Sequence, residues 1–195
     1  ARDALGGDEY VGGDVGVLVA PEAAGPPAPR LHLVDDEDDA VPVGPLAQQD
    51  ASTTARTVSL NVAAPLILSS AIAVQMGGRP CRILHVSSGA ARHAYQGWSI
   101  YCATKAALDQ HAKAVALDGD PDVRICAIAP GVVDTDMQTE VRALPAEQFP
   151  LRERFIKMKN EGTLTPAAVA AEKVVDYLLS DAFGTAPVAD IRELR

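Results

Sequence analysis

The chain has few cysteines, and their pattern does not indicate a metal site. Cys81, Cys102 and Cys126 lie in apolar stretches that look like strands or helices, without CxxC spacing or a nearby histidine cluster. An odd number of cysteines without an export signal is typical of a reducing compartment. We therefore expect three buried free thiols, no metal site and a cytoplasmic location.

Long apolar runs are also absent. None approaches the roughly 20 residues that a membrane-spanning helix needs, and the run from Val15 to Ala20 is too short for a signal-peptide core. The sequence therefore predicts a protein that neither spans a membrane nor is exported. The chain begins at Ala1 rather than at Met, which we interpret as a processed chain or a fragment of a longer reading frame.

Clusters of Lys and Arg are missing, which argues against a nucleic-acid partner because phosphate contacts need such clusters. The net charge is −9, and residues 1–40 hold ten of the 26 acidic residues but only two of the 17 basic ones. Five carboxylates stand in a row from Asp35 to Asp39, where like charges resist burial. The ligand spacing of a calcium loop is absent there, so we expect a solvated acidic loop.

The sequence changes in character near residue 41. Residues 1–40 are rich in glycine and proline and lack a sustained hydrophobic period, so we expect mostly irregular structure and one short strand, Leu31–Val34. In residues 41–195, helical patterns at 48–76, 99–117 and 167–180, and a charged helix LRERFIKMKN within 142–160, alternate with strand patterns at 81–86, 123–128 and near 186–191. This order predicts an α/β fold, a Rossmann-type parallel sheet flanked by helices.

Several residues indicate where the helices begin and end. Ser52 or Thr53 is the expected N-cap of the first helix, and Gly77-Gly78 is its expected end. Thr165 followed by Pro166 predicts an N-cap and a first helical residue for the last helix.

Tyr101 and Lys105 are four residues apart in a predicted helix, so both side chains project from one face. An ammonium beside a phenol favours the phenolate, which suits proton transfer near neutral pH. The YxxxK pattern alone is weak evidence, because it also occurs as a surface pair on many helices.

A serine thirteen residues before the tyrosine strengthens this interpretation. Ser88 follows the predicted strand CRILHV, and ligands of parallel sheets bind beyond the carboxyl ends of strands. A hydroxyl there can bind a substrate carbonyl while Tyr101 supplies a proton. Ser87 is the competing candidate, although adjacent residues at a strand exit point in opposite directions.

These residues and their neighbours resemble the short-chain dehydrogenases/reductases over roughly residues 41–195. The matching elements, in family order, are Asn61 in LNVAAP, Ser88 in ILHVSSGA, Tyr101 and Lys105 in YCATK, and the stretch APGVVDTDMQ. Within the family, the chain is most similar to sepiapterin reductases and bacterial benzil reductases.

The resemblance implies a role for each matching residue. Tyr101 is the expected general acid/base, Lys105 favours its phenolate and holds the nicotinamide ribose, and Ser88 orients the substrate carbonyl. Asn61 is expected to anchor a relay water, with a hydrogen bond to backbone near Pro65 as the alternative. The nicotinamide end of the cofactor is expected to meet a loop that contains Pro130, Gly131, Val133 and Thr135.

Two further residues are candidates for the substrate pocket. Asp190 falls where sepiapterin reductases place a carboxylate that anchors the pterin, with an exposed turn residue as the alternative. Trp98 is expected either to line the substrate pocket or to pack under the long predicted helix at 99–117.

The N-terminal part departs from the family pattern. The TGxxxGxG turn that brings backbone close to the pyrophosphate is absent, and acidic residues stand where the family has NNAG. We therefore expect an altered or truncated N-terminal segment, residues 1–40, before the catalytic part of the domain, residues 41–195.

The resemblance implies an NADP(H)-dependent oxidoreductase that acts on a small carbonyl substrate and forms a homodimer or higher homo-oligomer. The alternative is a noncatalytic remnant or dimerisation module without cofactor binding.

Overall fold

The computed structural model of the protein describes residues 17–21 and 42–194. The strands are β1 Val17–Pro21, β2 Cys81–Val86, β3 Val123–Ala129, β4 Val133–Asp134, β5 Thr165–Pro166 and β6 Val188–Asp190. The helices are α1 Ala51–Val58, α2 Ala64–Met76, α3 Ser99–Asp118, α4 Asp136–Ala143, α5 Arg152–Asn160 and α6 Ala167–Leu179. A π-helical turn, Ser59–Ala63, joins α1 to α2, and Leu46–Gln48 and Gly89–Ala91 form short 3-10 turns.

The main sheet has the strand order β1-β2-β3-β6, in which β2, β3 and β6 are parallel. This confirms the predicted α/β fold with a parallel sheet flanked by helices. The edge strand β1 is antiparallel to β2 and lies within residues 1–30, where we expected mostly irregular structure. The predicted strand Leu31–Val34 and the acidic run Asp35 to Asp39 lie outside the described residues.

Successive residues of β2 and β3 point to opposite faces, and helices cover both faces. One apolar cluster contains Ile83 and Ile125 together with Ala112 of α3. The other contains Leu84 and Ile128 with the buried side of α6. The sheet is therefore apolar on both sides, as the two short apolar runs predicted.

The first helix begins earlier than its predicted caps. The Asp50 carboxylate accepts a hydrogen bond from the Thr53 backbone N–H at 2.7 Å, so Asp50 is the N-cap and the prediction of Ser52 or Thr53 is wrong. The predicted end is confirmed, because Gly77 caps α2 with a left-handed φ of +58°.

The region from residue 136 to residue 166 agrees with its predicted elements only in part. The predicted charged helix LRERFIKMKN is confirmed as α5, whereas α4, which begins at Asp136, was not predicted. Thr165 is not an N-cap, because its N–H donates to Val132 O at 2.9 Å in the small parallel sheet formed by β4 and β5. Pro166 is the N-cap of α6 instead.

One helix among the described residues is long and apolar enough to cross a membrane, by length and composition only. Ala51–Met76 is continuous helix of 26 residues, and 22% of its most apolar window is buried. Serine and asparagine interrupt its apolar runs without adding charge. One such helix is weak evidence for a span, and this one contributes Asn61 and Ser69 to the buried residues of the domain.

The cysteines are free, as expected, but they are not all buried. Cys81 and Cys126 are buried, whereas Cys102 on α3 is only half-buried. Its Sγ is 3.8 Å from the His93 carbonyl oxygen.

Candidate active site

The carboxyl ends of the three parallel strands meet at one edge of the sheet. β2 leads into Ser87, whose N–H donates to Ile128 O at 2.8 Å, and Ile191 N–H, just after β6, donates to Ala129 O at 2.9 Å. This edge is where ligands of parallel α/β sheets bind.

Tyr101 and Lys105 are brought to this edge by the start of α3. Both side chains are buried, and Lys105 Nζ lies 5.5 Å from the centre of the Tyr101 ring. Lys105 Nζ also donates to Val86 O at 3.2 Å, at the last residue of β2. The ammonium is thus fixed between the tyrosine ring and the strand end that leads into Ser88.

The two serines after β2 have different surroundings. Ser87 is 2% exposed and donates a short hydrogen bond to the buried carboxylate of Asp109. Ser88 is half-buried, and its Oγ accepts from Ala90 N–H at 3.1 Å. The Ser88 hydroxyl proton therefore remains able to bind an acceptor, whereas the Ser87 proton is engaged.

Asn61 occupies the centre of the π-helical turn between α1 and α2, a local irregularity that is frequent at functional sites. It is 5% exposed, and its Oδ1 has no hydrogen-bond partner among the described residues. Leaving a buried acceptor unpaired costs about 1–3 kcal/mol. The alternative role for Asn61 is a hydrogen bond to backbone near Pro65. The Pro65 carbonyl oxygen accepts a hydrogen bond from Ser69 Oγ at 2.8 Å.

The loop after β3 contains the four residues that the resemblance assigns to the nicotinamide end. These four residues, Pro130, Gly131, Val133 and Thr135, are all half-buried. Gly131 has a left-handed φ of +82°, and a Cβ there would stand 3.5 Å from Arg192 Cδ. The turn thus brings the loop against the segment that follows β6.

Asp190 ends β6 and is not an exposed turn residue, since it is only 5% exposed. Its Oδ1 accepts from Arg192 N and Nε at 3.0 and 2.8 Å, and its Oδ2 accepts from Arg192 Nη2 at 2.6 Å. These hydrogen bonds lower the pKa of the Asp190 carboxyl, and the same pair raises the pKa of Arg192.

Trp98 precedes the first residue of α3 and is 5% exposed. Its ring centre lies 5.1 Å from that of Tyr101, 5.0 Å from Phe149 and 5.5 Å from Phe155. The indole therefore packs within an aromatic cluster under the start of the long helix, and this cluster also supports the Tyr101 ring.

Sequence reasoning missed two polar groups beside the site. Asp109 accepts from Ser87 and pairs with Arg92 Nε at 3.1 Å, which links α3 to the strand exit. Its spacing of four residues from Lys105 was the available signal. His85, inside β2, lies 3.1 Å from His111 of α3, and no periodicity distinguished it from its apolar neighbours.

The described residues fit the nicotinamide-ribose end of a dinucleotide. The fixed Lys105 ammonium and the half-buried loop after β3 lie at this sheet edge, and the π-helical turn that contacts α3 contributes the orphaned Asn61 Oδ1. The printed sequence supplies no TGxxxGxG turn for the pyrophosphate.

A parallel sheet with a serine, a tyrosine and a lysine at its carboxyl edge defines a class of nucleotide-dependent oxidoreductases. Residues 40–145 match the sequence profile of the short chain dehydrogenase family. The chain therefore belongs to the short-chain dehydrogenase family, whose members use nicotinamide cofactors.

Relatives within the family agree with the expected resemblance. The chain is 32% identical over 168 residues to a benzil reductase ((S)-benzoin forming) of Bacillus cereus, which covers 84% of this chain and 68% of that protein. It is 35% identical over 129 residues to the sepiapterin reductase of Xenopus laevis, covering 65% of this chain and 48% of that protein. The resemblance to these two groups is thus confirmed.

Solved structures share the fold. The KRED1-Pglu enzyme is similar with a TM-score of 0.68 and 25% identity, over 77% of this chain and 63% of that chain. This chain thus spans less than two thirds of the length of that structure.

Proposed function

We propose that the protein is an NADP(H)-dependent carbonyl oxidoreductase that reduces a ketone or a diketone. The observation that carries the proposal is the fixed placement of Lys105 between the Tyr101 ring and the end of β2, next to Ser88. The names of the Bacillus and Xenopus relatives point to the same chemistry, one of them the reduction of benzil.

Each residue of the site has a task in this reaction. Ser88 donates a hydrogen bond to the substrate carbonyl oxygen, because that oxygen can only accept and the bond from Ala90 N–H leaves the Ser88 hydroxyl proton available. Tyr101 transfers a proton to that oxygen as the carbonyl becomes an alcohol, and Lys105 favours the phenolate that remains. A reduced nicotinamide, when bound, supplies the hydride for the carbonyl carbon.

The proton that Tyr101 gives up is replaced from solvent. Asn61 serves this step in the proposal, since its buried Oδ1 needs a partner and a bound water satisfies it. We propose that this water returns a proton toward Lys105 and Tyr101.

The cofactor contacts are proposed for the nicotinamide end. Tyr101 and Lys105 hold the ribose, and the loop residues Pro130, Gly131, Val133 and Thr135 meet the nicotinamide. NADP(H) is preferred over NAD(H) on the resemblance to sepiapterin and benzil reductases.

Trp98 and Asp190 belong to the substrate side of the site in this proposal. Trp98 acts through packing, since its ring supports Tyr101 within the aromatic cluster. Asp190 acts by holding Arg192.

We propose a cytoplasmic homodimer or higher homo-oligomer. The helix Ala51–Met76 leaves Ile67 and Val74 66% and 78% exposed, and burial of such side chains favours association with a second copy. Three free cysteines fit a reducing compartment.

A fluorescence titration with NADPH, followed by turnover of benzil and of sepiapterin, tests the proposal. We expect saturable binding and consumption of NADPH that depends on the carbonyl compound. Folded protein that binds no NADPH contradicts the proposal and supports the noncatalytic dimerisation module instead.

A further inference from the structure

A buried carboxylate on α3 holds the segment that contains Ser88. Asp109 is 3% exposed, and its Oδ1 accepts a hydrogen bond from Ser87 Oγ. Its Oδ2 accepts a hydrogen bond from Arg92 Nε at 3.1 Å. The two oxygens of one carboxylate therefore bind the residue directly before Ser88 and a residue four positions after it.

Stability alone does not explain this carboxylate. Taking a charge out of water is costly, and its attraction to one partner at most offsets that cost, so a buried ion pair contributes little to stability. The Asp109 side chain is 5% exposed and that of Arg92 is 32% exposed, so the carboxylate bears most of the cost. What such a pair can provide is one fixed arrangement of the groups that it joins.

The hydrogen bonds of Asp109 bracket a tight turn that begins at Ser88. Gly89–Ala91 is a 3-10 turn with Ser88 as its N-cap, and Arg92 N–H donates to the first carbonyl oxygen of this turn at 3.1 Å. In the described part of the chain, the Ser88 side chain is hydrogen-bonded only to Ala90 N–H, which belongs to the same turn. The position of Ser88 relative to α3 thus depends on the groups that hold the turn at its two ends.

Two successive turns of α3 hold two successive residues of the strand exit. Lys105 Nζ donates to Val86 O at 3.2 Å, and Asp109, four residues further along the helix, accepts from Ser87. Residues four apart lie on the same face of a helix, so the face that carries Lys105 continues into Asp109. Through these contacts the helix of the proposed acid/base also sets the position of the strand exit.

The placement of Tyr101 does not require Asp109. The Tyr101 ring belongs to the aromatic cluster, and its centre lies 5.1 Å from that of Trp98. Without Asp109 the turn also keeps one contact with β6, because Arg92 Nη2 donates to Ala189 O at 3.0 Å. We therefore expect loss of the carboxylate to displace the serine while the tyrosine stays in place.

We propose that Asp109 is a positioning residue, which holds Ser87 and Arg92 and thereby places the Ser88 hydroxyl for the substrate carbonyl oxygen. Asp109 itself contacts neither substrate nor cofactor and acts only through Ser88. The inference rests on the proposed carbonyl reductase function and adds to its site a residue outside the serine, tyrosine and lysine.

Asp109→Asn tests the inference. The amide keeps the size of the carboxylate but has a single oxygen, so it cannot accept from Ser87 and Arg92 at its two ends. We expect kcat for benzil with NADPH to fall about tenfold, because a small displacement of a group that binds the reacting oxygen slows the reaction. The Kd of NADPH should stay close to that of wild type, because Lys105 and the loop after β3 keep their contacts.

A double-mutant cycle with Ser88→Ala separates positioning from a general structural effect. Without the Ser88 hydroxyl there is nothing for Asp109 to place, so Asp109→Asn should lower kcat less than about twofold in that background. Single turnovers with protein in excess of NADPH keep the slow variants measurable. A tenfold loss in both backgrounds overturns the inference, because Asp109 then acts on something other than Ser88.

A second variant removes the same hydrogen bond from its other end. Ser87→Ala should also lower kcat in the wild-type background and not in the Ser88→Ala background, and it decides the question if Asp109→Asn does not fold. Asp118→Asn, which removes an exposed carboxylate from the last residue of α3, is the matched control and should leave kcat unchanged.

The wild-type protein distinguishes this inference from the proposed function. Turnover of benzil by wild type, with kcat unchanged in Asp109→Asn and in Ser87→Ala, overturns the inference and leaves the proposed function in place. Folded wild-type protein that reduces neither benzil nor sepiapterin overturns the proposed function and the inference together.

Discussion

The buried histidine of β2 makes the stability of the protein depend on pH. His85 is fully buried, and its Nε2 lies 3.1 Å from Nδ1 of His111. Burial lowers the pKa of His85 to about 4, and the charges of His111 and Lys105 act in the same direction. Burial also lowers the pKa of His111, although Asp118 opposes this change.

The size and sign of the effect follow from that pKa. A pKa that falls from 6.5 to about 4 on folding corresponds to about 3 kcal/mol, at about 1.4 kcal/mol per unit. Because the folded pKa is the lower one, the unfolded chain takes up the proton first as the pH falls. The contribution of His85 is therefore fully present above pH 6.5 and is lost as the pH falls to about 4.

Urea unfolding at a series of pH values between 7.5 and 4 measures this dependence. We expect the free energy of unfolding to fall with pH in wild type and to fall less steeply in His85→Gln, which lacks the titrating ring. His93→Gln removes an exposed histidine and is the matched control, with a slope like that of wild type. A slope that His85→Gln leaves unchanged would refute the argument, whatever its absolute stability.

Two further predictions concern backbone strain and self-association. Gly184→Ala should destabilise the protein by at least about 2 kcal/mol, because its φ is +74° and a Cβ would meet a neighbouring side chain at 3.1 Å. Gly162 has a φ of +64°, but a Cβ there would meet no atom within 4 Å, so Gly162→Ala should destabilise the protein by only about 1 kcal/mol. Urea unfolding that gives the same loss of stability for both variants would contradict this prediction. Val74→Glu should shift the protein toward monomer in sedimentation velocity, whereas Leu46→Glu, equally exposed at 78%, should not. If Val74→Glu leaves the sedimentation coefficient unchanged, α2 is not the helix through which two copies associate.

The elements that are determined by their own local sequence could be predicted. The strand Cys81–Val86 matches its prediction, because an apolar run between turn residues has few other stable conformations. The helix Ser99–Asp118 differs by one residue from its predicted end, since alanine-rich sequence and the following Gly119 act together. Tyr101, Lys105 and Ser88 could be recognised for the same reason, as they depend on these two elements.

Elements that depend on distant partners were not predictable. The strand Val17–Pro21 is defined by its pairing with β2, and Thr165–Pro166 by its pairing with β4, so neither leaves a local pattern. The burial of Asp109 and its bond to Ser87 likewise depend on how α3 lies against the strand exit. Charge alone would place such a carboxylate at the surface.

The pairing of Asp190 with Arg192 is another feature that the local sequence does not predict. Sequence comparison drew attention to the carboxylate, whereas the structure shows that the neighbouring guanidinium is the more exposed group. The spacing of two residues after a short strand does not by itself predict a two-point ion pair.

The most direct test of the account is the turnover of benzil with NADPH by Tyr101→Phe and by Tyr177→Phe. Tyr177 is a buried tyrosine of α6 whose hydroxyl lies 3.8 Å from Cys126 Sγ, on the side of the sheet away from α3. We predict that Tyr101→Phe lowers kcat at least about 100-fold, while Tyr177→Phe stays close to wild type. Turnover that survives the loss of the Tyr101 hydroxyl would contradict the assignment of this site as the catalytic centre.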